Sequence, residues 1–106
     1  MVRREVWWAQ LDPPAGRRPV LLVSRYDAYL IRSLIMVAPV TTSIRRITAE
    51  VTLGPRDGLP KVCAANLETL TTVSKAQLVE RITMLDQEKM EEVDEALLHF
   101  ALGLES

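Results

Sequence analysis

The chain has 106 residues, the length of one small domain, and its hydrophobic fraction of 48% excludes a disordered protein. Its single cysteine excludes an intrachain disulfide, and no apolar run approaches the roughly 20 residues of a membrane helix. The net charge of −1 excludes a chain that is basic throughout. No signal peptide is visible, so we expect a cytoplasmic protein. We expect one domain over 1–106.

Strands separated by turns are predicted for the first half of the chain. Residues 5–11 are rich in β-forming side chains and end at the breaker Asp12-Pro13-Pro14-Ala15-Gly16. A short apolar run predicts a buried strand over 19–24, and a third strand is predicted over 34–40. The intervening residues 26–33 are predicted to form a connection.

The second half begins with an alternating pattern. Apolar residues occupy the odd positions from 47 to 53 and polar residues the even ones, which predicts a half-exposed strand. A turn is predicted over 54–58, and further strands over 61–67 and 78–84. No element is predicted for the stretch between these last two strands.

One helix is predicted, near the C-terminal end of the chain. Asp86 is suited to cap its first turn, Glu88 to interact with its positive end, and Gly103 to terminate it. Apolar residues at helical spacing form one stripe: Met90, Val93, Leu97, Phe100 and Ala101. Short strands followed by one helix predict a mainly β fold, a small and strongly bent sheet or barrel with the helix packed against it.

Residue types that support the common catalytic centres are scarce. His99 is the only histidine and is expected on the surface of the helix, so a His-based triad is not predicted. Cys63 has apolar neighbours and is expected to be a buried strand thiol rather than a nucleophile. One cysteine and one histidine do not make a zinc site, and no glycine-rich nucleotide loop is present. We therefore expect no metal and no cofactor.

Arginine is concentrated in the first half of the chain. Residues 1–48 contain eight arginines, no lysine and three acidic side chains, whereas 49–106 contain five basic and eleven acidic ones. One arginine can bind two phosphate oxygens at once, so the use of arginine rather than lysine suits phosphate recognition. The candidate residues lie at a strand start and around the next turn: Arg17, Arg18, Thr41, Thr42, Ser43, Arg45, Arg46 and Thr48. They indicate a phosphate or RNA binder, with ordinary solvated charge as the alternative.

Aromatic side chains near these arginines offer surfaces on which bases could stack. The candidates are Trp7, Trp8 and Tyr26. Adjacent strand residues face opposite ways, so at least one of the two tryptophans is expected to belong to the core.

Motifs in order along nearly the whole chain resemble the MazF/PemK family of toxins. The chain opens with Glu5-Val6-Trp7-Trp8-Ala9-Gln10-Leu11-Asp12-Pro13-Pro14 and Gly16-Arg17-Arg18-Pro19-Val20-Leu21-Leu22-Val23-Ser24. The match continues through Val37-Ala38-Pro39-Val40-Thr41-Thr42-Ser43-Ile44, Thr48-Ala49-Glu50-Val51, Gly58-Leu59-Pro60-Lys61, Asn66-Leu67 and Glu92-Val93-Asp94-Glu95-Ala96-Leu97. The chain departs from the family at Arg4, where many relatives have glycine, and in its shorter loop over 12–16.

The resemblance implies an SH3-like barrel with a C-terminal helix, a two-fold homodimer, and sequence-specific, metal-independent cleavage of single-stranded RNA by its own 2′-OH. It also implies a cognate antitoxin whose acidic segment lies over the RNA groove. The catalytic arginine and threonine of the family match Arg18 and Thr48 in this sequence. The RNA-binding residues expected around them are Arg17, Thr42, Ser43, Arg45 and Arg46.

Two other functions are compatible with such a fold. A toxin of the CcdB type binds DNA gyrase and cuts nothing, but that family resembles a chain ending in Trp-Gly-Ile, whereas this one ends in Leu102-Gly103-Leu104-Glu105-Ser106. A non-catalytic SH3-like interaction module would not bind RNA through phosphate contacts. It would therefore lack the salt-dependent RNA affinity that such contacts produce. The ordered set of motifs favours the ribonuclease.

Overall fold

A computed structural model describes residues 1–24 and 33–101. Its strands are β1 (Glu5–Gln10), β2 (Arg17–Leu22), β3 (Leu34–Thr41), β4 (Glu50–Leu53), β5 (Cys63–Asn66), β6 (Thr71–Ser74) and β7 (Leu78–Met84). One α-helix, α1 (Gln87–Glu95), follows β7 and continues as a wider π-helical segment over Ala96–Ala101. The connection predicted over 26–33 lies, except for Ser33, outside the described residues, as do Tyr26 and the terminator predicted at Gly103.

The strands form one antiparallel sheet in the order β4-β5-β3-β2-β1-β7, and β6 also pairs with β3. Strand β3 pairs with three other strands because it is long enough to do so. It pairs with β6 over 34–37, with β2 over 37–39 and with β5 at its last two residues. The described part of the chain is therefore mainly β with one C-terminal helix, as the sequence predicts.

Both faces of the sheet are buried. On β2, Leu21 packs into one apolar cluster, while its neighbours Val20 and Leu22 pack into a second. The larger cluster also contains Met90 and Val93 of α1, so the helix covers one face of the sheet. Burial on both sides explains why β2 has a continuous apolar run rather than an alternating one. Each fully buried side chain of this kind contributes roughly 1.5–3 kcal/mol.

The helix begins as predicted. Oδ1 of Asp86 accepts a hydrogen bond from the backbone nitrogen of Lys89 at 2.7 Å, which is an N-cap. Met90 and Val93 are buried, and Leu97 packs against the same cluster, as the apolar stripe requires. The last two positions of that stripe lie outside the described side chains. Within residues 1–24 and 33–101, no helix is long and apolar enough to cross a membrane.

Strands β2, β4 and β6 differ most from the sequence prediction. Strand β2 begins two residues early, because Arg17 and Arg18 already pair with β1. Strand β4 is shorter than the predicted 47–53, since Thr48 lies in a turn. Strand β6 is absent from the prediction. Its only buried residue is Val73, so an apolar pattern is missing there.

Candidate active site

A groove of about 380 Å³ lies where the pairing of β2 with β3 ends. The last paired residues are Val20 and Pro39, and continuing that register would place Arg18 opposite Thr41. The polar and aromatic side chains that line the groove are Trp8, Arg17, Arg18, Thr41, Thr42, Ser43 and Lys61. Among the described lining residues three are basic and none is acidic, so the groove suits an anion.

Arg18 is exposed on β2 and lines this groove. Its Nε donates a hydrogen bond to the carbonyl oxygen of Ala15 at 2.9 Å, which orients the guanidinium group. No carboxylate of the described residues forms an ion pair with it. Both terminal nitrogens are therefore available, and a guanidinium held in this way can bind two phosphate oxygens at once.

Three consecutive hydroxyl groups share the groove with Arg18. Thr41 is the last residue of β3, and Thr42 and Ser43 follow it. Oγ1 of Thr41 accepts a hydrogen bond from the backbone nitrogen of Ser43 at 3.0 Å. This bond fixes the oxygen of Thr41 and leaves its hydroxyl proton free to be donated to a ligand.

Arg17 lines the same groove but is held by two neighbours. Its Nη2 lies 3.2 Å from Oε2 of Glu80 on β7. Its guanidinium carbon lies 5.1 Å from the centroid of the Trp8 ring, within cation–π range. The side chains of Arg17 and Glu80 are 50% and 67% exposed, so their ion pair contributes little to the stability of the fold.

The floor of the groove is apolar and contains the single cysteine. Cys63, on β5, is 6% exposed. Burial, assisted by the negative charge of Asp57, raises the pKa of its thiol. The thiol therefore stays protonated at neutral pH, and the prediction of a buried strand thiol is confirmed.

Residues 2–101 match the family described as PemK-like, MazF-like toxin of type II toxin-antitoxin system. The chain belongs to this family. The resemblance seen in the ordered motifs is thereby confirmed. The toxin is also similar to the curated protein "Probable endoribonuclease MazF5" of Mycobacterium tuberculosis. The two are 41% identical over 96 residues, which cover 90% of this chain and 87% of that protein.

Solved structures share the fold of this toxin. The Mycobacterium tuberculosis toxin MazF-mt6 matches it with a TM-score of 0.88 and 26% identity, covering 97% of this chain and 100% of that chain. An endoribonuclease from a mycobacterial species, solved in complex with its cognate antitoxin, matches with a TM-score of 0.86 and 26% identity, covering 100% and 98%. The predicted fold, a small SH3-like barrel of the MazF/PemK class, is confirmed.

The structure does not bring Thr48 to the groove of this toxin. Thr48 is exposed in the turn before β4 and lines a different depression, beside the helical residues Lys89 and Ala96. Two strands, β5 and β3, separate β4 from β2 in the sheet. Thr48 therefore does not line the groove that contains Arg18, whereas Thr41 does, and the catalytic role expected for Thr48 stays a prediction.

Arg45 and Arg46 also lie outside the groove, unlike the other predicted RNA-binding residues. Their backbone nitrogens donate to Oε1 of Glu50 at 3.0 and 2.9 Å, which anchors the loop between β3 and β4. The guanidinium group of Arg45 lies 3.5 Å from Glu50 and 3.7 Å from Glu68, so its charge is compensated. Arg46 adopts a left-handed backbone with φ 57°.

Two groove residues have no role in the site that the resemblance implies: Lys61, and Thr41, which the sequence offers only as one of several candidate hydroxyl residues. Lys61 is exposed in the loop before β5 and has no acidic partner among the described residues. The family match already contains it, in the segment Gly58-Leu59-Pro60-Lys61. Thr41 ends a strand whose partner carries Arg18, a relation that only the strand order reveals.

Proposed function

We propose that this toxin is a sequence-specific endoribonuclease that cuts single-stranded RNA, such as mRNA, in the groove beside Arg18. Membership of the MazF/PemK family and the similarity to a protein named as a probable endoribonuclease support RNA cleavage. One observation supports the proposed location of the reaction. Arg18 and the hydroxyl group of Thr41 line a single groove that contains no acidic side chain among its described residues.

RNA carries its own nucleophile, the 2′-hydroxyl group. The protein therefore does not have to supply a nucleophilic side chain or form a covalent intermediate with the RNA. The 2′-oxygen attacks the adjacent phosphorus, the bond to the 5′-oxygen breaks, and the products are a 2′,3′-cyclic phosphate and a 5′-hydroxyl. The 2′-hydroxyl loses one proton and the departing 5′-oxygen gains one. We propose that this reaction proceeds without a metal ion, with the charge of the phosphorane stabilised by side chains.

Arg18 and Thr41 have complementary roles in this scheme. Arg18, whose terminal nitrogens are available, supplies fixed positive charge to the equatorial phosphorane oxygens. Thr41 donates its hydroxyl proton to one of these oxygens, while its own oxygen is held by the hydrogen bond that it accepts from the backbone nitrogen of Ser43. Preorganised donors of this kind act mainly on the transition state, where the negative charge is greatest.

Further contacts extend along the strand of RNA. Thr42, Ser43 and Lys61 line the groove and are placed to bind the phosphates that flank the scissile one. Arg45 and Arg46 lie on the adjoining loop and are proposed to contact RNA beyond the groove. Arg45 would first exchange its carboxylate partners for phosphate.

The partners proposed for the chain are a second copy and an antitoxin. Strand β3 presents the large apolar side chains of Leu34 and Met36, which are 56% and 45% exposed and suit a homodimer interface. A groove with three basic side chains suits the acidic segment of a cognate antitoxin, and one structural neighbour is an endoribonuclease bound to its antitoxin. We place the toxin in the cytoplasm, where mRNA is translated.

The function is tested with a mixed-sequence single-stranded RNA incubated with the protein in EDTA. We expect cleavage by the parent, with 5′-hydroxyl and cyclic-phosphate ends on the fragments. Arg18→Ala should lower the rate by about 10²–10³, as the loss of one oxyanion-stabilising donor does, and Arg18→Lys should retain part of it. Absence of cleavage by the parent, or undiminished cleavage by Arg18→Ala, would contradict the proposal.

The two alternative functions predict different results in this RNA assay and in a separate gyrase supercoiling assay without EDTA. A gyrase-binding toxin or a non-catalytic module leaves the RNA intact, and only the former inhibits DNA supercoiling by gyrase. The family match is to PemK-like and MazF-like toxins, so the gyrase-binding alternative is not favoured.

A further inference from the structure

We propose that Trp8 is a base-stacking subsite of this toxin, and that Arg17, held by Glu80, covers it until RNA binds. The subsite takes a nucleobase of single-stranded RNA and rests on the proposed function. It adds a specific exchange of contacts to that function. An RNA phosphate replaces the carboxylate of Glu80 as the partner of Arg17, and a nucleobase replaces the guanidinium group of Arg17 on the ring of Trp8.

The first observation is the position of the indole. Trp8 lies on β1 and lines the groove that contains Arg18. The other tryptophan has a different environment, because Trp7 packs against the second apolar cluster and its indole nitrogen donates to Glu5 at 3.2 Å. The indole nitrogen of Trp8 makes no hydrogen bond to any described residue. Trp8 is thus a ring at the wall of an anion-binding groove, free of the polar bond that anchors Trp7.

The second observation is the cover on this ring. The guanidinium carbon of Arg17 lies 5.1 Å from the centroid of Trp8, the position that a stacked base would need. Glu80 lies opposite Trp8 in the register of β7 with β1, and its carboxylate holds Arg17 at 3.2 Å. The three side chains are therefore arranged so that the carboxylate fixes the cation over the ring.

The third observation is that this cover is easily displaced. Both partners of the ion pair are at least half exposed, so water already competes for them and the pair is weak. A phosphodiester of the RNA backbone carries the same single negative charge as Glu80, but it can bind Arg17 through two oxygens, whereas one oxygen of Glu80 contacts Arg17 here. When Arg17 turns to that phosphate, the ring of Trp8 becomes available to the neighbouring base. Every base has a π face, so this subsite adds affinity without choosing the base.

The test uses the fact that the chain has two tryptophans. Trp7→Phe leaves Trp8 as the only indole fluorophore, so its emission reports on this subsite alone. The probe is a mixed-sequence single-stranded DNA oligonucleotide, which has bases and phosphates but lacks the 2′-OH nucleophile. We expect its binding, followed independently by polarisation of a labelled probe, to quench the emission of Trp8 in proportion to occupancy.

Variants of the cover and of the ring complete the experiment. In the Trp7→Phe protein, Glu80→Gln should lower the Kd for the probe severalfold, whereas Glu91→Gln, which removes one charge from the exposed face of α1, should not. Trp8→Leu should raise the Kd on the order of tenfold, and Trp8→Tyr should retain most of the affinity because it keeps a stacking ring. Arg17→Ala should flatten the plot of log affinity against log salt by about 0.7, the loss of one single-strand phosphate contact.

The results that overturn the subsite differ from those that overturn RNA cleavage. If the probe binds and RNA is cut in EDTA while Trp8 emission stays constant, the subsite is wrong and the proposed function stands. A Trp8→Leu protein that binds as tightly as its parent, or equal effects of Glu80→Gln and Glu91→Gln, would also overturn the subsite. If the parent neither binds the probe nor cuts RNA, both proposals fail together.

Discussion

At the scale of single residues, the most heavily bonded carboxylate near the start of the chain is Glu5. It is 8% exposed and accepts hydrogen bonds from the backbone nitrogen of Val2 at 2.8 Å, Nε1 of Trp7 at 3.2 Å and Nε of Arg81 at 2.6 Å. Burial alone would raise the pKa of Glu5, but these three bonds and the charged N-terminus outweigh it and bring the pKa below its ordinary value of 4.5. The ionised form of Glu5 therefore stabilises the fold.

This depressed pKa predicts how stability depends on pH. The contribution of Glu5 is fully present above pH 4.5, its value in the unfolded chain, and is lost as pH falls through the lower pKa of the folded state. The free energy of unfolding of the parent should exceed that of Glu5→Gln at neutral pH, and the difference should shrink below pH 4.5. Urea unfolding of both proteins over a series of pH values measures this difference. A difference that stays constant or grows in acid would contradict the assignment.

Arg4 shows how one departure from the family is accommodated. Its φ of 87° lies in the region that favours glycine, the residue that the family resemblance leads us to expect there. A side chain in left-handed backbone costs roughly 1–2 kcal/mol. The hydrogen bond from Nε of Arg4 to the carbonyl oxygen of Leu85, at 2.9 Å, offsets part of that cost. The sequence reveals the departure, whereas the compensating bond depends on a residue 81 positions away.

At the scale of elements, the turn between β4 and β5 is fixed by one close approach. Gly58 has a φ of 93°, and a Cβ built there would lie 2.8 Å from Cβ of Thr83 on β7 and in contact with its hydroxyl oxygen. That hydroxyl group donates to the carbonyl oxygen of Asp57 at 2.9 Å, which ties the turn to the strand. Gly58 is therefore required for conformation and for space.

Two glycine-to-alanine substitutions separate these requirements. Gly58→Ala should destabilise the protein by roughly 2–4 kcal/mol, through left-handed strain and displacement of Thr83. Gly16 also has positive φ, 66°, but nothing lies within 4 Å of a Cβ built there, so Gly16→Ala should cost only about 1 kcal/mol. The comparison is made by thermal or urea unfolding. Equal losses in the two variants would show that the contact with Thr83 has no energetic weight.

The elements that the sequence predicts well are those whose patterns are satisfied locally. Strands β1 and β7 and the start of α1 fall where composition, alternation or capping place them, because each carries its own signal along the chain. Strand β6 lacks such a signal: only Val73 is buried, and the strand exists because β3 offers it an edge. The turn at Thr48 interrupts an alternating pattern that by itself predicts one continuous strand.

At the scale of the whole molecule, the candidate site is assembled by strand order rather than by proximity in sequence. Arg18 could be selected from the sequence, because a motif of the family surrounds it. The choice between two threonines could not, since Thr41 ends β3, Thr48 lies in the turn that follows, and both have hydroxyl groups. The sheet order decides between them: β3 lies next to β2, whereas β4 is reached only across β5 and β3.

The most direct measurement is therefore the turnover of one defined RNA oligonucleotide by Thr41→Val and Thr48→Val in EDTA. Valine keeps the shape of threonine and replaces its hydroxyl group with a methyl group. We expect Thr41→Val to lose at least about tenfold in kcat, because a donor to the phosphorane is gone, and Thr48→Val to stay within about twofold of the parent. Loss of turnover in Thr48→Val with full activity in Thr41→Val would show that the groove beside Arg18 is not where the RNA is cut.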